Sequence, residues 1–127
     1  WEDLGTIRSY HEASLALAAA DPPFEFFSPE GVIYTRMRNL PASRIDGATL
    51  NRCLIADGTR IADGSVLTNC LIGVRSAIGR NVKLVDTVVI GSDRFETPAE
   101  RAANRAAGLP FLNIGAGTEI RQAILDK

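Results

Sequence analysis

Cysteine and histidine are almost missing from this chain: Cys53, Cys70 and His11 are the whole complement. Two thiols cannot make a disulfide framework. With no paired Cys spacing and no neighbouring histidine, they cannot make a zinc site either. A reducing cytoplasm is the compartment that fits such a chain. Excess charge of one sign is also absent, with 14 basic against 15 acidic residues and a net charge of -1. That balance gives no electrostatic footprint for nucleic acid or for an anionic membrane surface, so neither is expected as a partner and any anion site must be local. No apolar run approaches the roughly 18 residues of a membrane span, and the amino terminus lacks a basic stretch leading into an apolar one. What is present is a composition of 46% hydrophobic and 23% charged residues, which fits one ordinary globular domain.

The chain opens without Met on Trp1-Glu2-Asp3-Leu4-Gly5-Thr6 and stops on Ile124-Leu125-Asp126-Lys127, inside an apolar strand-like pattern. Both ends are therefore expected to be interior points of a longer polypeptide.

Three segments follow one another. Residues 1–20 read as a strand end plus a helix, with Thr6 as N-cap and Ile7, Tyr10, Ser14 and Leu17 at helical spacing, stopped by Asp21-Pro22-Pro23. Residues 21–44 read as a linker. Its three phenylalanines and the β-prone run Val32-Ile33-Tyr34-Thr35 suggest an extended connector docked on an apolar surface, partly the flank of the following domain. Residues 45–127 repeat with a period of 17: Cys53-Leu54-Ile55 stands over Cys70-Leu71-Ile72, Ile61 over Ile78, Leu67 over Leu84, and Val89 continues the Ile55 and Ile72 column. Within the period the aliphatics Ile55, Ile61, Leu67, Ile72, Ile78, Leu84 and Ile90 fall at intervals of six, with one of five.

A hexad rhythm of this kind predicts a mainly β fold, a left-handed parallel β-helix whose triangular coils point aliphatics inward and pair their backbones from coil to coil. Thr59, Ser65, Ser76 and Val82 are expected on its flat sides, and Gly58, Gly64, Gly73 and Gly79 at corners where a Cβ would crowd the turn. Cys53 and Cys70 should stack as a column of small apolar side chains. One excursion interrupts the stack near 93–111, because Ile114-Gly115 resumes the Ile78-Gly79 pattern 36 residues on, 19 more than one period. Thr97-Pro98-Ala99-Glu100 opens a helix there with a capping box, and Gly108 and Pro110 stop it.

Several short motifs in this order carry a resemblance. Trp1 to Thr6, Tyr34-Thr35-Arg36-Met37-Arg38-Asn39-Leu40-Pro41, Ile72 to Ser76, Ile90 to Thr97 and Ile124 to Lys127 together resemble the glucose-1-phosphate adenylyltransferases (ADP-glucose pyrophosphorylases), most closely their plant and cyanobacterial branch. Departures are small: Ser92 stands for an alanine, Arg94-Phe95 for two tyrosines and Leu125 for an isoleucine. The resemblance implies an enzyme that makes ADP-glucose and pyrophosphate from ATP and glucose 1-phosphate, for glycogen or starch synthesis. It implies that this chain holds only the end of the catalytic domain, the linker and the β-helix, is inactive alone, and belongs to a homotetramer.

The resemblance also implies site residues. Asp3 would be one of two aspartates holding a catalytic Mg²⁺, an ion that takes hard oxygen ligands and typically only one or two carboxylates. On the residues alone, Asp3 could equally cap the helix near Thr6. Arg38, Asp126 and Lys127 match positions lining a site for a phosphorylated effector or phosphate, a role that suits a guanidinium fork and an ammonium. Arg36, Arg52 and Arg75 suit a solvated face and receive no role, and His11 reads as packing or surface. Two alternatives share the β-helix: another sugar nucleotidyltransferase such as a mannose-1-phosphate guanylyltransferase, and a hexapeptide-repeat acyltransferase. The second usually needs a histidine between coils, and these repeats have none.

Overall fold

The computed structural model describes residues 4–31 and 33–126. Helix α1 (Ile7–Ala16) comes first. Strands β1 (Arg44–Ile45), β2 (Thr49–Ile55), β3 (Arg60–Ile61), β4 (Val66–Ile72), β5 (Ala77–Ile78) and β6 (Lys83–Val89) follow, then helix α2 (Pro98–Ala106) and strand β7 (Glu119–Leu125). Every strand pairing is parallel. The short strands form one sheet in the order β1-β3-β5 and the long ones another in the order β2-β4-β6-β7. The 17-residue period is the register itself: Cys53 lies opposite Cys70, and Cys70 opposite Thr87. After the excursion Ile114 bridges to Ile78, and Leu84 pairs with Ile120.

Each long strand is really two sides of a triangle. Its middle residue, Arg52, Asn69, Asp86 or Gln122, takes no part in the pairing and sits at a φ of 51, 53, 48 or 49°, in the left-handed region. One left-handed residue turns the chain, and stacking such residues builds an edge. Gly47, Gly64, Asn81 and Gly117 form a second edge in the same way, and Gly58 and Arg75 belong to the third. The expectation that glycines mark the corners is therefore only partly right, since the Arg52 edge contains none. Left-handed backbone costs an L-residue roughly 1–2 kcal/mol, and Asn and Asp tolerate it best. Here Asn69 also donates from Nδ2 to Asp86 Oδ1 at 2.6 Å, which ties two successive corner residues of this edge.

The prism is filled by Ile61, Leu67, Cys70, Ile72, Ile78, Val82, Leu84 and Val89, all buried. Ile90 does not belong to this set. It is half-buried outside the core because Val89, in register with Ile72 and Leu125, takes the inward position, so the interval after Leu84 is five rather than six. Thr59, Ser65 and Ser76 turn their side chains inside, at 0, 1 and 2% exposure, and donate to backbone carbonyls: Thr59 Oγ1 to Gly73 at 3.2 Å, Ser65 Oγ to Gly79 at 2.7 Å and Ser76 Oγ to Gly73 at 2.7 Å. Turns expose backbone oxygens inward, and a buried carbonyl needs a donor. Small hydroxyls meet that need without filling the core.

Helix α1 starts where the sequence places it. Thr6 and Ser9 form a reciprocal capping box, Ser9 N donating to Thr6 Oγ1 at 3.0 Å and Thr6 N to Ser9 Oγ at 3.1 Å. It ends sooner than expected, at Ala16, and Ala18 and Ala19 continue only in turn conformation, donating to Leu15 and Ala16 carbonyls. Its buried face is also different. Ile7 and Tyr10 are exposed, and Leu15 with Ala18 is buried where the helix packs on β4 and β6. His11 decides this rotation, for its Nε2 meets the Asp86 carbonyl at 2.7 Å. The docking point is thus a corner residue of the prism.

The connector carries no strand among its described residues before β1 begins at Arg44. Phe24, Phe26, Phe27, Ile33, Tyr34 and Met37 are all exposed, and Phe24 and Phe26 pack edge to face with centroids 5.4 Å apart. The flank of the β-helix does not cover them. Only at Pro41 does the chain join the stack, where Gly58 N donates to Pro41 O at 2.9 Å and Ser43 Oγ to Ala56 O at 2.6 Å.

Candidate functional site

Four residues are expected to act on ligands. Asp3 and Lys127 lie outside the described residues. Arg38 is exposed in the connector, just before the chain joins the first coil, and Asp126 is exposed directly after β7 in the last coil. No hydrogen bond or ion pair joins them; Arg38 precedes β1, and Asp126 follows the strand that closes the β2-β4-β6-β7 sheet. Arg36 is likewise exposed, and Arg52 and Arg75 serve as left-handed corner residues, with Arg75 Nη1 reaching Ser92 O at 3.4 Å. Among the described residues, no three His, Cys, Asp or Glu side chains converge where they could hold a metal ion.

The cysteines share a register position on adjacent rungs and both are free thiols, Cys70 buried and Cys53 half-buried. The hydrogen bond that Cys70 shares with Cys53, together with burial, pushes the Cys70 thiol above its ordinary value. Cys70, held protonated and buried, is a poor nucleophile, whereas the same hydrogen bond lowers the pKa of the half-buried Cys53 to about 6. The next members of the column, Thr87 and Ala123, contain no sulfur.

What sequence reasoning missed is the space under the excursion. Residues 95–116 arch over the β3–β5 side of the prism and enclose a cleft of about 770 Å³. Glu96 ties the first foot of the arch to α2: its Oε1 accepts from Asn104 Nδ2 at 2.9 Å and its Oε2 from Arg101 Nε at 3.2 Å, with the side chain 2% exposed. Burial works against the Glu96 carboxylate, but hydrogen bonds from Asn104, Arg101 and the Leu112 N–H outweigh it and hold its pKa below the ordinary value. The cap of α2 uses a second carboxylate. Glu100 accepts from Thr97 N at 2.8 Å, and Thr97 Oγ1 accepts from Glu100 N at 3.2 Å. Those bonds to Thr97, and one from Arg94, lower the Glu100 pKa as well.

A depressed carboxylate pKa gives stability that is complete above the unfolded-state value and is lost as pH falls through the folded one. The arch should therefore loosen below the ordinary carboxylate range while the coils, held by apolar burial, stay intact. Amide hydrogen exchange followed against pH is expected to show residues 96–107 losing protection at higher pH than β4 and β6. Glu96→Gln should give the same loosening at neutral pH. Equal acid sensitivity in arch and coils would refute the assignment.

A family model described as the GLGC left-handed parallel beta-helix domain matches residues 38–127. The chain is 42% identical to glucose-1-phosphate adenylyltransferase large subunit 2 of Hordeum vulgare over 126 residues, which is 99% of this chain and 69% of that relative. The parallel coils are thus the left-handed β-helix that the hexad rhythm predicts.

Proposed function

Because this chain belongs to the glucose-1-phosphate adenylyltransferase family and carries its β-helix domain, we propose that it is the regulatory and assembly part of an enzyme making ADP-glucose and pyrophosphate from ATP and glucose 1-phosphate. One observation carries the division of labour. The described residues build a packed β-helix and a helix docked on it. Phosphoryl chemistry needs a phosphate cradle and a metal ion between carboxylates. Asp3 alone supplies one carboxylate. In this reading its partner and the ATP and sugar-phosphate sites belong to the rest of a catalytic domain outside these 127 residues. When bound there, Mg²⁺ supplies positive charge against the transferring phosphates.

The helix after Asp3 gives that reading mechanical content. α1 is tied to a corner of the prism through His11 and Asp86 and packs on β4 and β6, so a shift of the coils moves the segment that carries Asp3. Arg38, Asp126 and Lys127 provide contacts for a phosphorylated effector or inorganic phosphate. In this reading the site is completed by basic groups from the catalytic domain outside these 127 residues. The exposed apolar side chains of the connector, Phe24, Phe26, Phe27, Ile33 and Met37, fit burial against that catalytic domain. The cytoplasm is its compartment, in keeping with two free thiols.

The 127-residue chain is expected to show no ADP-glucose synthesis from ATP and glucose 1-phosphate with Mg²⁺, while the enzyme with its full catalytic domain turns over. Coupled release of pyrophosphate measures both. Turnover by the isolated chain would overturn the division proposed here.

A further inference from the structure

The cleft under the arch has the make-up of a ligand site. Its volume of about 770 Å³ lies inside the range of roughly 300–1,000 Å³ that small-molecule pockets occupy, which are apolar in the main with a few convergent polar groups. The floor is the β3–β5 side, with Ala62 and Ala77, and the roof is α2, with Ala102. Three guanidiniums line it, from Arg60, Arg101 and Arg105, against a single carboxylate, Glu96. Glu96 is already taken by Arg101 and Asn104. On a chain of net charge -1, this leaves a local surplus of positive charge facing an apolar space.

The two remaining arginines are held in the same way at the two feet of the arch. Arg60 lies over the Phe95 ring at 5.8 Å from its centroid, and Arg105 over the Phe111 ring at 5.7 Å. A guanidinium stacked on an aromatic face is restrained in orientation yet keeps its in-plane N–H groups for an anion. Each foot thus offers a ring edge beside a donor fork. We propose that this cleft binds a small organic anion, a phosphate or carboxylate carried on a flat apolar body, with Arg60 and Arg105 holding the anionic group and the Phe95, Ala77 and Phe111 side chains covering the body. Neither Arg38 nor Asp126 lines this cleft, and the proposal stands whether or not Arg38, Asp126 and Lys127 bind an effector.

Phenyl phosphate is the probe, with inorganic phosphate carrying the anion alone and phenol the ring alone. Backbone amide shifts of the isotope-labelled chain, followed through each titration, report both place and affinity. Phenyl phosphate is expected to saturate with a Kd at or below about 1 mM, moving amides of residues 60–62, 76–79 and 95–116. Inorganic phosphate and phenol should each bind at least about tenfold more weakly, since each loses one of the two contributions. Arg60→Ala and Arg105→Ala should each raise the Kd roughly tenfold, the loss of one charge-assisted contact, whereas Arg121→Ala on β7 should not change it. Arg105→Lys keeps the charge and the apolar stem, and should weaken binding less than Arg105→Ala with the fold intact. The proposal is overturned by shifts that never saturate, by inorganic phosphate binding as tightly as phenyl phosphate, by shifts centred on Arg38 or Asp126, or by an Arg60→Ala/Arg105→Ala double variant that binds like the parent.

Discussion

Gly73→Val is expected to abolish the folded β-helix. A side chain at this glycine would run into the carbonyls of Ile90 and Val89 on the next rung, and these are backbone atoms that cannot rotate away. Overpacking against side chains costs about 1–3 kcal/mol because they move. Here the rungs themselves must part, and Gly73 sits between β4 and β5 at the middle of the stack, where its own carbonyl also accepts from Thr59 and Ser76. Against a total stability of about 5–15 kcal/mol, separating two central rungs removes most of what holds the prism. Far-UV circular dichroism and a denaturant titration should show loss of β structure and of a cooperative transition. Gly108→Ala is the control. Its backbone is left-handed, with φ at 66°, but nothing lies within 4 Å of an added Cβ, so only the left-handed cost of about 1 kcal/mol applies. If Gly73→Val melts like the parent, the close stacking of rungs is wrong.

In the enzyme with its catalytic domain, Asp3→Asn should cut turnover at least about a hundredfold at every effector concentration. Removing one metal carboxylate forfeits several kcal/mol of charge stabilisation in the transition state. Lys127→Ala should show itself elsewhere, in the concentration of phosphorylated effector needed for activation. One charge-assisted contact contributes about 1.5–3 kcal/mol to binding, which is roughly ten- to a hundredfold in that concentration. Steady-state rates measured across an effector titration separate the two variants. An Asp3→Asn enzyme that keeps its turnover, or a Lys127→Ala enzyme activated like the parent, removes the corresponding residue from its proposed role.

The edges of the prism show how the same sequence can be legible in one respect and opaque in another. The spacing of Cys53, Cys70 and Thr87 fixes which residues share a rung, because in-register parallel pairing allows only one offset between coils. It does not show which residue turns the corner. Arg52, Asn69, Asp86 and Gln122 look like ordinary strand residues, and only the closed triangle requires a left-handed turn at each. His11 is similar. Alone on a short helix it has no partner in sequence, and its contact with Asp86 lies 75 residues away.

By itself, then, the amino-acid sequence determined the repeat, its parallel register, the columns of inward aliphatics, the caps of both helices and the point where the excursion leaves and rejoins the stack. These follow from periodicity and from interactions three or four residues apart, which a chain carries wherever it folds. The tertiary structure alone decided the rest. It turned α1 so that Leu15 rather than Ile7 is buried, drew Thr59, Ser65 and Ser76 inside to satisfy turn carbonyls, and left the connector's aromatics uncovered. It brought Arg60 of one coil beside Phe95 of the arch. Each of these depends on groups distant along the chain that only the closed stack brings within reach, and no local pattern encodes that distance.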